Sequence, residues 1–436
     1  MKKLIQEALQ RRKHKSQREF YVTKSIIVIG GGIVGVCTAL ELQLSGNSVT
    51  LVDRKKPGRE TSYGNAGVLA ESSVMIINNP SLLKALPKYI LNNKNDLRYD
   101  FFFVIRNFFK ILRFLSYCTH KHLDHAGRAL RSLLLISLIK HKDWIKTSKT
   151  THLLKEDSGW LKLFRSKKTF KKYQLELELM KKNDVKFTIF EKEQIRQIEP
   201  GLSQRYEKAV LMDDAGRISD PAALTDGYVK VFLDAGGKVL EESVTALNEA
   251  HPGWEVNTNN STLKGDHVVV AAGGWSSEIA SWLGYKIPLF WERGYHLHLK
   301  PSNAPSLNRT ILDVDGGFIM APMKQGVRVT SGVELTWRDA DPNYSQITES
   351  VKRARQVYKM GDQIEDTPWM GRRPTLIDSL PIISPAPRHQ GLWFNFGHQH
   401  LGLSLAPGSA ALISAFINKT QAPIDPSPYS ATRFKI

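Results

Sequence analysis

The residues that promise chemistry begin with three glycines spaced Gly30-x-Gly32-x-x-Gly35. They follow SIIVIG (25–30), a short β-branched run of the kind that forms a buried parallel strand. The chain then reads VCTALELQLSG, with Ala39, Leu40 and Leu44 at helical spacing, and NSVTLVD ends a second strand at Asp53. In such a βαβ unit Gly30 permits the tight turn, and Gly32 lets backbone approach a pyrophosphate at the helix N-terminus, beside Ile33 and Val34. Gly35 lets helix and strand pack closely. Asp53, followed by Arg54, lies 21 residues past the second glycine, where an acid accepts hydrogen bonds from ribose hydroxyls. The spacing predicts a dinucleotide site without saying whether the dinucleotide is FAD or NAD.

Three further segments bear on that choice. In RKKPGRETSYGNAGVLAES the small and polar residues Thr61, Ser62, Asn65, Ala66 and Gly67 could let a flavin lie against backbone, although a plain Gly/Asn loop would read the same. HVVVAAGGW (267–275) is a second apolar strand running into Ala272 and Gly273, as expected of a strand returning beside the cofactor; Val244, ahead of it, is assigned with them. LWFNFGHQHLGLSLAPGSAALISAFI reads as a strand, a loop bearing Gly397, Gly402 and Leu403, and a helix whose first turn follows Pro407. A helix N-terminus aimed at a flavin pyrimidine ring would stabilise the negative charge that develops there on reduction.

Taken together, GGGIVG with Asp53, ETSYGNAG (60–67), GRISDPAAL (216–224), HVVVAAGGWSS, ERGYHL (292–297), GRRPTLIDSLPII (371–383) and GHQHLG (397–402) resemble the D-amino-acid oxidase superfamily of FAD enzymes, most closely its bacterial D-amino-acid dehydrogenase branch. The last two blocks also resemble members that oxidise cis-4-hydroxy-D-proline. The resemblance implies an α/β (α+β overall) chain with a Rossmann-like FAD domain made of 24–75, 185–285 and 370–420. It implies a substrate domain of 76–184 and 286–369 built on an antiparallel sheet. Arg373 matches the family's G-x-R-P arginine and is expected to clamp a substrate carboxylate, with Arg372 structural. Tyr295 resembles a second contact to the carboxylate or amine. His398, and more weakly His400, would hydrogen-bond the flavin ring or the substrate. The implied reaction is hydride transfer from the Cα of a D-amino acid or D-proline derivative to flavin N5, with electrons passed to a quinone or other respiratory acceptor. An oxygen-using oxidase of glycine or sarcosine type is the rival within the class, and a non-catalytic flavoprotein that binds nucleic acid is the rival outside it.

These residues must be held by a body of 436 residues, long enough for two or three domains. Of the net charge of +19, residues 1–20 carry +5 and residues 101–172 carry +13, leaving the remainder near neutral. A neutral body with two basic segments reads as an ordinary globular protein with localised surface attachments, and nucleic acid is the less favoured partner. The stretch FFFVIRNFFKILRFLSYC (101–118) places Arg106, Lys110 and Arg113 at i, i+4, i+7, with Phe102, Phe103, Phe109, Phe114 and Leu115 on the rest of a helix. That pattern suits either a helix lying in the headgroups of an anionic leaflet or a packed helix with its cations in water. No long apolar run follows Lys2-Lys3, so export by a cleaved signal is not expected. Two cysteines suit a reducing compartment, and the expected location is the cytoplasm or the inner face of its membrane. Cys37 is expected in the core and Asp378 in a turn. His398 and His400, two residues apart with no third ligand nearby, make a poor zinc site, so no metal is assigned.

Overall fold

The computed structural model describes residues 23–156 and 158–436; the basic N-terminal extension lies outside the described residues. Strand Ser25–Ile29 sits inside a six-stranded sheet, parallel to Ser48–Asp53 on one side and to His267–Val270 on the other. Lys238–Glu241 extends the first side. Leu392–Phe396 extends the second in parallel, and Ile382–Pro385 closes that edge antiparallel. The central strands are buried on both faces, which explains their continuous apolar sequence. Helix Ile33–Leu44 covers one face with Cys37 in its core and packs on helix Gly402–Ile417. Gly35 makes the crossing close: a Cβ there would meet the Gly30 carbonyl oxygen at 1.7 Å.

The helix expected to start after Pro407 starts five residues earlier, at Gly402, with Pro407 in its interior. Proline leaves the carbonyl four residues back without its helical donor. That carbonyl is Leu403, and His141 Nε2 hydrogen-bonds it at 2.8 Å while the hydroxyl of Tyr228 meets Nδ1 at 2.7 Å. The next turn is repaired from the same side, where Ser137 Oγ accepts the Gly408 N–H at 2.8 Å. His141 and Ser137 belong to helix His120–Thr147, whose buried leucines share one core with the parallel sheet's helices.

The second sheet has ten strands and is mostly antiparallel. Its spine is the long strand Leu289–Leu299, paired antiparallel with Gly326–Thr330 and with Trp369–Leu376. Trp160–Phe164, Lys208–Met212 and Phe187–Glu191 extend the far side. The division expected from sequence is corrected in three places. Helix 120–147 packs with the parallel sheet, strands 187–191 and 208–212 belong to the antiparallel one, and so does strand 369–376. Each segment's layer is set by which apolar face it finds, not by its place in the chain. Residues 421–436 are docked: Tyr429 donates to the Ala129 carbonyl at 2.6 Å and Arg433 pairs with Asp378 at 2.6 Å. Asp378 also accepts the Leu380 N–H, as its turn requires.

The aromatic basic segment forms two short helices, Phe101–Arg106 and Phe108–Ser116. The cationic stripe expected there is broken. Lys110 folds inward to the Leu289 carbonyl and over the Phe290 ring, whereas Phe102 and Phe109 point outward.

Candidate active site

A cavity of roughly 480 Å³ runs between the two sheets, within the range of small-molecule sites. One wall is the glycine turn. Gly31 N–H donates to Asp53 Oδ2 at 2.6 Å, Lys55 N–H to Asp53 Oδ1 at 2.9 Å, and Ile33 N–H to Ser62 Oγ at 2.9 Å. Asp53 therefore fixes the turn while it lines the cavity, and its burial raises the carboxyl above its ordinary range. Gly30, Gly32, Ile33, Val34 and Arg54 line the same wall, with Val244, Ala272 and Gly273 beside them. Gly273 has nothing within 4 Å of an added Cβ and Gly32 has only Ser62 Oγ at 3.5 Å, so both present bare backbone to the cavity.

The 60s loop crosses the middle of the cavity. Thr61 Oγ1 donates to the Arg372 carbonyl at 3.0 Å and accepts the Arg372 N–H at 3.2 Å, tying the loop to the antiparallel sheet. Thr61, Ser62, Asn65 and Ala66 line the cavity. Gly67 does not: at φ +76° it turns the chain against Ile218, where a Cβ would meet the carbonyl oxygen at 2.1 Å. Beneath the loop Arg328 donates Nη1–H to the carbonyls of Tyr63 and Asn65 at 2.9 and 2.6 Å, and Nε–H to His298 Nε2 at 3.0 Å. The other ring nitrogen of His298 pairs with Glu365. The ligating atoms of His296, His298 and Glu365 lie within 4.8 Å of one another, but the Arg328 guanidinium already engages the lone pair that a metal would need.

The far end is built on the paired strands 289–299 and 369–376. Their register sets Glu292 opposite Arg373, Gly294 opposite Gly371 and His296 opposite Trp369. Alternation of side chains puts this set on one face of the sheet, and Arg373, Gly294, Gly371 and Trp369 line the cavity with Trp160, Ile319 and Thr330. The Arg373 guanidinium lies over Gly294, where a Cβ would meet Nη2 at 2.2 Å. Burial lowers its pKa, and the nearby Glu292 carboxylate works against that. Glu292, buried behind it, is pushed up to about 7 by burial, against the pull of Arg373.

Tyr295 falls on the opposite face, and its expected contact with substrate is corrected for that reason. Its hydroxyl donates to Glu334 Oε2 at 2.5 Å and accepts from Arg293 Nη2 at 2.8 Å and Asn343 N–H at 3.1 Å, so it ties the 334–344 segment to the sheet. His398 lines the cavity with Gly397, Gly402 and Leu403. Its Nε2 meets Ser409 Oγ at 2.8 Å; since that hydroxyl donates to the Leu405 carbonyl, Nε2 carries the proton. Burial pushes His398 down to about 3, so its imidazole is neutral, whereas His400 is exposed to the cavity and Arg373 works against its protonation. His400, the lesser candidate by sequence, opens on the same cavity as Arg373.

Sequence reasoning missed Trp160, Ile319, Thr330 and Trp369, which come from four strands. Only Trp369, two residues before Gly371, carried a local signal, the alternation that also places Arg373.

A glycine turn at a helix N-terminus, an acid at the end of the second strand and a long cavity roofed by a second sheet define a dinucleotide oxidoreductase. Residues 25–416 match the family of FAD dependent oxidoreductases, and the chain belongs to that family. It is 30% identical to a D-amino-acid oxidase of Bradyrhizobium diazoefficiens over 427 residues, 94% of this chain and 99% of the relative. It is 26% identical to D-amino acid dehydrogenase 2 of Mesorhizobium japonicum, over 92% and 98% of the two chains. Glycine oxidase from Geobacillus kaustophilus shares the fold at a TM-score of 0.72 with 18% identity, over 94% and 100% of the chains. The cofactor is FAD. The bare glycines at 32 and 273 and the N-terminus of helix 33–44 fit its pyrophosphate, and Asp53 fits a ribose.

Proposed function

We propose that this flavoenzyme oxidises the Cα–N bond of a D-amino acid, including D-proline and cis-4-hydroxy-D-proline as candidate substrates, to the imine. We further propose that the electrons pass to a membrane quinone or another respiratory acceptor. The observation that carries the first part is Arg373, a half-buried guanidinium that lines the far end of the cavity together with Trp160, Ile319 and Trp369. A fixed cation in an apolar pocket selects a carboxylate and leaves room for a side chain. Bound FAD supplies the hydride-accepting ring. The chain's own contribution is orientation. Arg373 anchors the carboxylate, neutral His398 offers hydrogen bonds without adding charge, and the apolar walls exclude water. The first turn of helix 402–417 also faces the cavity and favours negative charge there.

The test is anaerobic bleaching of the bound flavin by a panel of D- and L-amino acids with glycine, sarcosine, D-proline and cis-4-hydroxy-D-proline. Bleaching confined to D-compounds is the expected result; bleaching by none, in protein that holds FAD, would sink the reading. The similarity to a D-amino-acid oxidase favours oxygen as a second reading of the acceptor. Stoichiometric peroxide in air with no added acceptor would establish it.

A further inference from the structure

Helices Phe101–Arg106 and Phe108–Ser116 carry six large apolar side chains into solvent: Phe101, Phe102, Ile105, Phe108, Phe109 and Leu112. Phe102 is 75% and Phe109 81% exposed. The neighbouring tip adds Ile90 and Leu91, at 73% and 78%. Asn92 holds that tip beside the first helix by donating to the Tyr99 carbonyl at 2.7 Å and accepting the Tyr99 N–H at 2.9 Å. No residue of the second helix is buried, and an apolar patch of this extent on a soluble face marks an interaction surface.

The charge around it narrows the occupant. Between Asp100 and Asp124 there is no acidic residue. Asp100 is spent capping its helix through the Phe103 N–H at 2.7 Å. Arg106 and Arg113 stand exposed among the aromatics. Protruding phenylalanines interleaved with arginines, on a segment that carries no acid from 101 to 123, match an anionic bilayer surface. The patch also backs onto the cavity. Phe103 packs edge-to-face on Trp337, whose neighbour Arg338 lines the cavity, and Phe114 packs edge-to-face on Phe290, in the strand that carries Gly294.

We propose that the Ile90–Leu91 tip and the outer face of helices 101–116 seat the protein on an anionic lipid surface, where a lipid-soluble acceptor lies within reach of the cavity. This rests on the reading of a membrane acceptor and names the surface that would serve it.

The experiment is flotation of the full-length, FAD-loaded protein with vesicles of phosphatidylcholine alone or with about one-third phosphatidylglycerol. The wild type should float with the anionic vesicles only, and less at about 0.5 M salt than at about 0.1 M. The double variant Phe102→Ser/Phe109→Ser should lose at least about tenfold in vesicle affinity, the scale expected for two withdrawn aromatics. It should reduce a soluble dye with amino acid as the wild type does. Equal flotation of the variant, no flotation of the wild type, or a wild-type dimer that the variant converts to monomer would each overturn the proposal. Dye reduction reports separately on the catalytic reading: docking can fail with turnover intact, and turnover can fail with docking intact.

Discussion

At residue scale the cavity turns on parity along one strand. Gly294 faces the cavity and lets the Arg373 guanidinium lie across the strand, while Tyr295 faces the other way into a closed set of hydrogen bonds. Arg373→Ala should raise KM for the amino acid by roughly 10²- to 10³-fold, the size of a truncated charge-assisted contact of about 3–4 kcal/mol. The flavin should remain bound, and titration of its absorbance against substrate checks both. Tyr295→Phe should do the opposite. Removing the donor to buried Glu334 should cost about 1–3 kcal/mol in denaturant unfolding, with kcat within about twofold of wild type. A tenfold fall in kcat at unchanged stability would return Tyr295 to the catalytic set. The motif Arg293-Gly294-Tyr295 was readable in the sequence, but which of its residues faces the cavity was not. That is decided by the register Gly294 takes with Gly371, and a shift of one residue would exchange the two faces.

At the scale of elements, the helix at 402–417 shows how a local rule yields to packing. Proline at 407 predicts a helix start, and an isolated segment would obey. Here His141 and Ser137, reaching from another helix, take over the hydrogen bonds that proline breaks, so the helix runs on toward the cavity and brings Gly402 and Leu403 to its wall. The repair needs the neutral imidazole with its proton on Nε2. Burial holds His141 at about 4 in the folded chain against an ordinary 6.5, so the unfolded chain takes up the proton first. Stability is therefore full above about pH 6.5 and falls as the pH drops toward 4, by up to roughly 1.4 kcal/mol per pH unit from this group. His398 acts in the same direction. His141→Phe should lower stability at pH 7 by about 1–3 kcal/mol by orphaning the Leu403 carbonyl, and should make unfolding less acid-sensitive than in the wild type. Urea midpoints at pH 5 and pH 7.5 measure both effects. An unchanged pH slope would mean that another group carries it.

At the scale of the molecule, the βαβ unit was legible because its signals are local: glycine spacing, a buried strand and an acid at a fixed distance. The assignment of segments to sheets was less so, because 120–147, 187–212 and 369–376 join layers through partners far away in sequence. The same long-range closure makes the cofactor a structural element. The cavity is lined from both sheets, and Thr61 bridges the 60s loop to strand 369–376 by two hydrogen bonds to Arg372. A ligand that binds only the folded chain stabilises it by mass action, about 4 kcal/mol at a free FAD concentration of a thousand times Kd. Stripping FAD should therefore lower Tm and expose the 60s loop first, since that loop would lose its neighbour on one side and be held by side-chain ties such as those of Ser62, Arg328 and Thr61 on the other. Limited proteolysis of apo and loaded protein, with the cut sites mapped, tests this. Cleavage between about 57 and 67 in the apo form alone is the expected pattern. Equal protection of that loop in both forms would mean that the two sheets close on each other without the flavin between them.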